Sequence, residues 1–405
     1  MKIINNQCYN ENNQFIQGDY MELISKRLIL KPITSAAAHD IFLHFTHEIT
    51  FYMYPKPPQD LDETISFINK SIKNYENNEE IVFVASHKDT HEFLGLMGIH
   101  EIHTKTPEVG LWLKKDAHGH HYGLEGIEAI IGYAKKELDY DYIVYNCDMR
   151  NIASRNIAES LSGIPIKTYK ETNLSGKELH YVQYFIYKKE PLHIKYPVLL
   201  FQGDSITDAN RKRSQPYDLG EGYVSKLLSS IHHAVIINKG ISGNRTIDLL
   251  NRWDIDTLSI KPDFLSILIG INEVWHHYKY GNILTPETYK IYYIKLLEEV
   301  KEKLPHTKIL MIEPFVFPIG EYESKWEIDL LQEQKIFKEL AEQYADYFIP
   351  MQSILNAYLS KYKMVDILGD GVHPTKLGHE LIAKEITQVI RLFMIEYFTN
   401  QKLAT

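Results

Sequence analysis

The sequence predicts an α/β protein of two domains, the second built on a parallel sheet with helices on both faces. Three observations predict it. The chain has 405 residues, and single hydrophobic cores stop growing beyond roughly 250–300 residues. From Pro197 onward, short apolar runs alternate with helical periodicity, the pattern of parallel strands joined by crossover helices. Between the halves lies a short polar junction, Lys188 to Tyr196, with one Pro and no Gly or Ser tract, which predicts domains held close. The expected layout is a polar tail 1–20, a first domain 21–188, a linker 189–196 and a second domain 197–405.

In the first half, residues 1–20 are rich in Asn and Gln and read as a loose tail or an edge strand. Lys26 to Ile33 alternates as a strand, and Ala36 to Glu48 reads as a helix. From Asp60 to Tyr75 the apolar residues Ile65, Phe67, Ile68, Ile72 and Tyr75 lie near helical spacing. Three strands follow, Ile81 to Ser86, Glu92 to Ile102 and Pro107 to Leu113, the last two parted by a turn at Thr104. After the loop Lys114 to Gly123 a helix runs to about Leu138, and Tyr142 to Asp148 is a strand. Asn151 opens a helix that ends near Gly163, with Pro165 beyond it as a stop. Strands near Ile166 to Tyr169 and Glu178 to Tyr187 close the domain.

In the second half, Pro197 to Phe201 is a buried strand that turns sharply at Gly203-Asp204-Ser205. Tyr223 to His233 reads as a helix, Ala234 to Asn238 as a strand, Thr246 to Trp253 as a helix and Asp263 to Ile269 as a strand. Thr285-Pro286 is an N-cap and first-turn pair. The helix it opens carries Tyr289, Tyr293, Leu296, Leu297 and Val300 on one face. Lys308 to Ile312 and Asp346 to Pro350 are strands, separated by a helix from Trp326 to Gln343; Lys376 to Phe398 is the closing helix.

Composition excludes several classes. A net charge of −9 without a basic run disfavours nucleic-acid binding. The two cysteines, Cys8 and Cys147, lack metal or disulfide spacing and suit a reducing compartment. The first ten residues have no apolar signal core, and no run of about 20 apolar residues could span a membrane. The expected location is the cytoplasm, so a sugar substrate would be an imported oligosaccharide or a metabolite.

Ser205 stands where open α/β sheets place their ligands, at the carboxyl end of a parallel strand. A serine needs a base, and the base needs an orienting partner. Asp370 and His373, three residues apart in Gly369-Asp-Gly-Val-His-Pro-Thr375, supply both. Developing negative charge needs donors, and two strand-end stretches offer them: Asn238 to Thr246, containing Gly243, and Ile269 to Trp275, containing Asn272. Four such loops in this order resemble the SGNH (GDSL) hydrolases, from Pro197 to about Phe398. The resemblance implies a three-layer α/β/α domain, Ser205 as nucleophile, His373 as base, Asp370 as acid, and an oxyanion hole of Ser205, Gly243 and Asn272. It implies no cofactor and no metal. The residue after the asparagine is usually Asp and here is Glu273, a departure discounted because that neighbour is not expected to do the chemistry. Asn-Lys-Gly-Ile-Ser-Gly-Asn, Arg252-Trp253, Ile-Gly-Ile-Asn-Glu-Val-Trp and Asp-Gly-Val-His-Pro look like the acetylxylan esterase branch, which implies an acetylated carbohydrate as substrate. Trp275 could give a sugar a stacking face, as could Trp253, although a core position is the commoner use of such a residue; His276, His277 and Tyr278 could line the same cleft. Asp208 and Arg211 read equally as substrate contacts or as a solvated loop, and Asp204 and His379 as structural.

The first domain's order of elements, with Arg27-Leu-Ile-Leu, Gly110-Leu-Trp-Leu and Asn151-Ile-Ala-Ser154 before Glu159, resembles the GNAT acyl-CoA N-acyltransferases over Glu22 to Lys188. The resemblance implies a mixed sheet, acetyl-CoA, and an amine acceptor. The cofactor loop would be His118, Gly119, His121 and Gly123, its backbone N–H groups cradling a pyrophosphate at a helix start, with Asn151 and Ser154 helping to hold the cofactor. Gly123 matches the family's last loop position. His118 replaces an Arg or Gln, and His121 replaces a glycine that would admit positive φ, which histidine tolerates better than most residues. His118, His120 and His121 crowd one loop without a carboxylate motif, and fit a solvated loop better than a metal site. Three functions follow: a carbohydrate deacetylase, an acetyl-CoA-dependent N-acetyltransferase, and an esterase carrying a non-catalytic binding module. The sequence gives no oligomeric state.

Overall fold

The computed structural model describes residues 2–4, 7–9, 21–189, 194–215, 217–282 and 285–401. They divide into two compact units, one running to Ile194 and one covering Lys195–Asn400. The tail residues 10–20 and the junction residues 190–193 lie outside the described residues.

At the start of the chain β1 (Lys2–Ile4) and β2 (Gln7–Tyr9) pair as an antiparallel hairpin. The first unit is then built on an eight-stranded mixed sheet of order β3-β4-β5-β6-β7-β8-β10-β9. Its strands are β3 (Leu23–Ile24), β4 (Leu28–Pro32), β5 (Glu80–His87), β6 (Phe93–His100), β7 (Glu108–Leu113), β8 (Tyr142–Asp148), β9 (Ile164–Thr172) and β10 (Glu178–Tyr187). Every neighbouring pair is antiparallel except β7 and β8, which are parallel. A crossover makes that pair parallel: α3 (Tyr122–Glu137) connects them.

The other helices of this unit are α1 (Ala38–His44), α2 (Leu61–Glu76) and α4 (Ile152–Ser160). The Asp60 carboxylate accepts from Glu63 N and starts α2. The helix expected over 36–48 is instead three pieces, with 3₁₀ turns at Ser35–Ala37 and Ile49–Tyr52 flanking α1. Phe45 leaves helical geometry (φ −85°, ψ 72°) and turns its ring onto Trp112, 4.8 Å away between centroids. Ile33, Ile41, Ile68, Val82 and Leu96 pack beneath it.

The second unit holds a five-stranded parallel sheet of order β12-β11-β13-β14-β15. The strands are β11 (Val198–Gly203), β12 (Val235–Asn238), β13 (Phe264–Leu268), β14 (Lys308–Ile312) and β15 (Tyr347–Ile349). The α-helices among the described residues are α5 (Ser205–Asp208), α6 (Tyr223–Lys226), α7 (Thr246–Asn251), α8 (Ile271–Tyr280), α9 (Pro286–Lys303), α10 (Glu327–Tyr344), α11 (Met351–Tyr358), α12 (Met364–Ile367) and α13 (Lys376–Asn400).

Alternate strand residues face opposite layers. Leu265 and Ile267 meet Leu249 of α7, Tyr293, Leu296 and Leu297 of α9, and Phe337 and Leu340 of α10. Phe264 instead meets Phe393 of α13 at 4.9 Å. Thr285 caps α9 by accepting from Thr288 N, with Pro286 in its first turn.

Several helices of this unit depart from the sequence reading, and α5, α11 and α12 have no counterpart in it. The one expected over 223–233 ends early: Ser229 Oγ bonds back to Lys226 O, and Ser230 leaves helical geometry. α8 has no counterpart in the sequence reading, because its first four residues, Ile271-Asn-Glu-Val274, are all buried and mask the amphipathic period. No helix among the described residues is long and apolar enough to cross a membrane.

Candidate active site

Parallel β12, β11 and β13 end on one edge of the sheet, so the loops that follow them share that edge. Gly203 ends β11 with no room for a side chain. A Cβ there would lie 2.2 Å from Thr207 Oγ1 and 2.4 Å from Leu268 O. The chain turns at once into α5, which begins with Ser205. The Asp204 carboxylate accepts from Ile206 N at 2.9 Å and fixes that turn; burial pushes its carboxyl up to about 7.

Asp370 and His373 come from the turn before α13, closed by Gly369 N donating to His373 O at 3.0 Å. Asp370 Oδ1 accepts from Val372 N (2.9 Å) and His373 N (2.7 Å), while Oδ2 lies 2.7 Å from His373 Nδ1. Burial pushes the Asp370 carboxyl up, but these hydrogen bonds more than offset it and leave it below the ordinary carboxylate range. His373 Nε2 lies 3.0 Å from Ser205 Oγ. The His373 and Asp370 side chains remain 41% and 39% exposed, so the site is open to solvent.

The loop after β12 is tied to the β11 turn by Ile241 N donating to Gly203 O at 3.1 Å. Gly243 follows at φ +80°, a conformation that favours glycine. Asn272, in the first turn of α8, donates from Nδ2 to Asn244 O at 3.0 Å. All five residues expected in the hydrolase site therefore come from loops on one edge. The Trp275 ring stands 5.5 Å from the His373 ring and backs onto Trp326 at 5.9 Å. Trp253 is a core residue, its indole donating to Leu296 O. His276 faces Gly243, where a Cβ would lie 3.9 Å from His276 Cε1. His277 Nδ1 is bound to Asn282 O, and the Tyr278 hydroxyl to Asp329.

Asp208 is not part of a solvated loop. It is buried, and Oδ2 accepts from Arg213, Ser242 N and Ser242 Oγ, at 2.5, 2.8 and 3.1 Å. Arg211 donates to Gly240 O at 3.0 Å. His379 is structural, its Nδ1 accepting from Tyr223 N at 3.1 Å, and burial pushes its pKa down to about 4. Sequence reasoning passed over Glu273, which is buried and bound to Thr246; the one signal was its departure from the residue usual in the family.

In the first unit β7 and β8 pair only at Glu108–Val144 and Val109–Tyr145 and then part. The loop facing that divergence carries His118, Gly119, His120 and His121, all exposed. His118 Nε2 bonds to Leu113 O at 2.9 Å. His121 adopts the left-handed conformation (φ 61°, ψ 16°) that a glycine would supply, and α3 starts from it with no side-chain cap. A Cβ added at Gly119 would meet nothing within 4 Å. Gly123 packs where a Cβ would lie 2.9 Å from both Ile157 Cδ1 and Leu111 Cδ1. Asn151 caps α4 by accepting from Ser154 N, and Ser154 Oγ lies 2.9 Å from the Tyr145 hydroxyl. Among the described residues no three His, Cys, Asp or Glu side chains are placed to hold a metal ion.

Comparison with known proteins agrees with both halves. A family model of GDSL-like lipases and acylhydrolases matches residues 201–381, and one of acetyltransferase (GNAT) domains matches 27–162. The chain is a carboxylic ester hydrolase, and the region ahead of its hydrolase half is similar to acetyltransferase (GNAT) domains. A curated acetylxylan esterase from Geobacillus stearothermophilus is 34% identical over 204 residues, which span 47% of this chain and 93% of that protein. Among solved structures, a GDSL-like lipase from Parabacteroides merdae is 33% identical and covers 53% of this chain and 100% of its own, at a TM-score of 0.43. A single-residue variant of an acetyl xylan esterase from Geobacillus stearothermophilus is 31% identical over 49% of this chain and 96% of its own, at a TM-score of 0.44. By its second unit the chain belongs to the GDSL-like lipase/acylhydrolase family.

Proposed function

We propose that the second unit removes acetyl, or other short acyl, groups from a carbohydrate through Ser205, His373 and Asp370. The carrying observation is the unbroken relay from Ser205 Oγ to His373 Nε2 (3.0 Å) and from His373 Nδ1 to Asp370 Oδ2 (2.7 Å). Ser205 Oγ attacks the ester carbonyl as its proton passes to Nε2. Asp370, ionised well into the acid range, holds Nδ1 and stabilises the imidazolium. The N–H groups of Ser205 and Gly243 and the amide of Asn272 receive the oxyanion. The sugar oxygen leaves with the proton from Nε2. Water, deprotonated by the same nitrogen, then releases acetate and restores the serine. The substrate class rests on the partly buried Trp275 beside His373, a flat face for a sugar ring, and on the likeness to an acetylxylan esterase. The test is acetate release from acetylated xylo-oligosaccharides and from 4-nitrophenyl acetate. Wild type is expected to cleave both and Ser205→Ala neither; unchanged turnover by Ser205→Ala would overturn the mechanism, and cleavage of the simple ester alone would overturn the substrate.

A second activity is favoured by the parting of β7 and β8 beside the uncapped start of α3. We propose that the first unit binds acetyl-CoA and transfers its acetyl group to an amine. Backbone N–H groups of the loop formed by His118, Gly119, His121 and Gly123 would hold the pyrophosphate, since unpaired helix-start donors suit anions. His121 already has the positive φ that the turn needs, so its side chain does not break the cradle. Asn151 and Ser154, at the start of α4, would contact the cofactor. Calorimetry with acetyl-CoA is expected to give saturable heat at one site per chain. No heat would leave the unit as a non-catalytic module.

A further inference from the structure

Glu273 follows Asn272 in the first turn of α8 and is only 6% exposed. Burying a carboxylate is costly unless strong donors meet it. Here both donors belong to one residue of another loop. Glu273 Oε1 accepts from Thr246 N at 2.5 Å and from Thr246 Oγ1 at 2.6 Å. Thr246 begins α7 and lies three residues beyond Gly243. One position earlier on α8 and two positions earlier in the facing loop, Asn272 Nδ2 donates to Asn244 O at 3.0 Å. Two consecutive residues of α8 thus grip residues 244 and 246 of the loop that carries Gly243. The amide of Asn272 has two hydrogens; Asn244 O takes one, which fixes the amide plane and leaves the other for the oxyanion.

The Glu273 carboxyl also acts electrostatically on two buried groups, Glu333 and Tyr289. Glu273 Oε2, both carboxyl oxygens of Glu333 on α10, and the Tyr289 hydroxyl on α9 are buried without a protein partner among the described residues. Burial, and after it the Glu273 charge, raise the Glu333 carboxyl well above the ordinary carboxylate range. Both Thr246 donors meet the same carboxyl oxygen, Oε1, so the two segments are held at one spacing.

We infer that Glu273 is a positioning residue for ester hydrolysis: its carboxyl clamps the Gly243 loop to the Asn272 helix and sets the separation of the two oxyanion donors. The inference rests on the oxyanion roles proposed above for Gly243 and Asn272. An oxyanion hole works through donors placed before charge develops, so a loosened clamp lowers turnover and leaves ground-state binding in place.

The experiment measures kcat, KM and thermal unfolding of the whole chain with 4-nitrophenyl acetate, for Glu273→Ala, Glu273→Gln and Thr246→Val beside Asn272→Ala. Losing an oxyanion donor costs on the order of 100- to 1000-fold in kcat, and this is expected for Asn272→Ala. Glu273→Ala is expected to lose roughly 10- to 100-fold in kcat with KM within about twofold, since the donors remain but drift. Glu273→Gln keeps an oxygen that can accept both Thr246 bonds, and is expected within about threefold of wild type. Thr246→Val keeps the backbone donor and is expected to lose about threefold to tenfold. Added to Glu273→Ala, it is expected to cost nothing further. A folded Glu273→Ala with wild-type kcat, beside an impaired Asn272→Ala, would overturn the clamp and leave the oxyanion hole standing. Wild-type kcat in Asn272→Ala would overturn the oxyanion reading and the clamp with it. A Gln variant as slow as the Ala variant would also overturn the clamp. Should Glu273→Ala fail to fold, Thr246→Val decides: unchanged kcat counts against the clamp, a selective loss of kcat for it.

Discussion

In the proposed mechanism Ser205 depends on His373 Nε2, 3.0 Å away, to take its proton, and His373 depends on Asp370 to hold its other nitrogen. Asp370→Asn tests that dependence. The amide would offer a donor to Nδ1 and favour the tautomer whose Nε2 carries a hydrogen and cannot take the serine proton. The expected result is a fall in kcat of about 10³- to 10⁴-fold with little change in KM, read from steady-state kinetics; a loss below tenfold would contradict the assigned role. These residues were legible in the sequence because each role admits few residue types, and four short blocks presented them in a fixed order. Glu273 was not legible. Its partner Thr246 is 27 positions away in another loop, and nothing in the local pattern links a glutamate after an asparagine to a helix start elsewhere. Asp208 was misjudged for a related reason: Ser242, which makes it a buried acceptor, lies 34 residues off.

Strands and long helices were legible because their burial repeats with a fixed period. β11 to β15 are short apolar runs, and Tyr289, Tyr293, Leu296, Leu297 and Val300 of α9 are all buried as their spacing predicts. Elements failed where burial follows no period, as in α8, or where side chains compete with the backbone, as at Ser229 after α6.

The packing of α8, α9 and α10 has a cost that pH reveals. Glu333 is buried, with neither oxygen hydrogen-bonded among the described residues, and burial holds its pKa well above 4.5; burial likewise raises Glu273 to about 7. A carboxyl with a raised folded pKa keeps in the native state a proton that the unfolded chain releases above about pH 4.5. Its contribution therefore favours the fold in acid and is lost as pH rises toward the folded value. Glu333→Gln removes that dependence. Its Tm gain over wild type is expected to be larger at pH 8 than at pH 5, and equal Tm differences at the two pH values would contradict the account. Where β11 ends, Gly203→Ala is expected to destabilise by about 2 kcal/mol or more, because backbone Leu268 O lies 2.4 Å from the new Cβ and cannot move away freely. Denaturant unfolding measures it.

The division into two units was also legible, since the regular strand–helix alternation begins only after a polar junction. Each unit has its own core, one around Ile33, Ile68 and Leu96 and one around Leu265, Tyr293 and Phe337. All residues assigned to ester hydrolysis lie within Lys195–Asn400. A fragment starting at Lys195 is therefore expected to hydrolyse 4-nitrophenyl acetate with a kcat within about twofold of the whole chain; a large loss in a folded fragment would show that the first unit completes the site. The central claim is that Ser205 becomes covalently acylated with His373 as its base. The most direct measurement is to treat the whole protein with a fluorophosphonate and locate the adduct by peptide mass. The account predicts one adduct, on Ser205, which is lost in Ser205→Ala and strongly slowed in His373→Ala. An adduct on another residue, or esterase activity that survives full modification of Ser205, would contradict it.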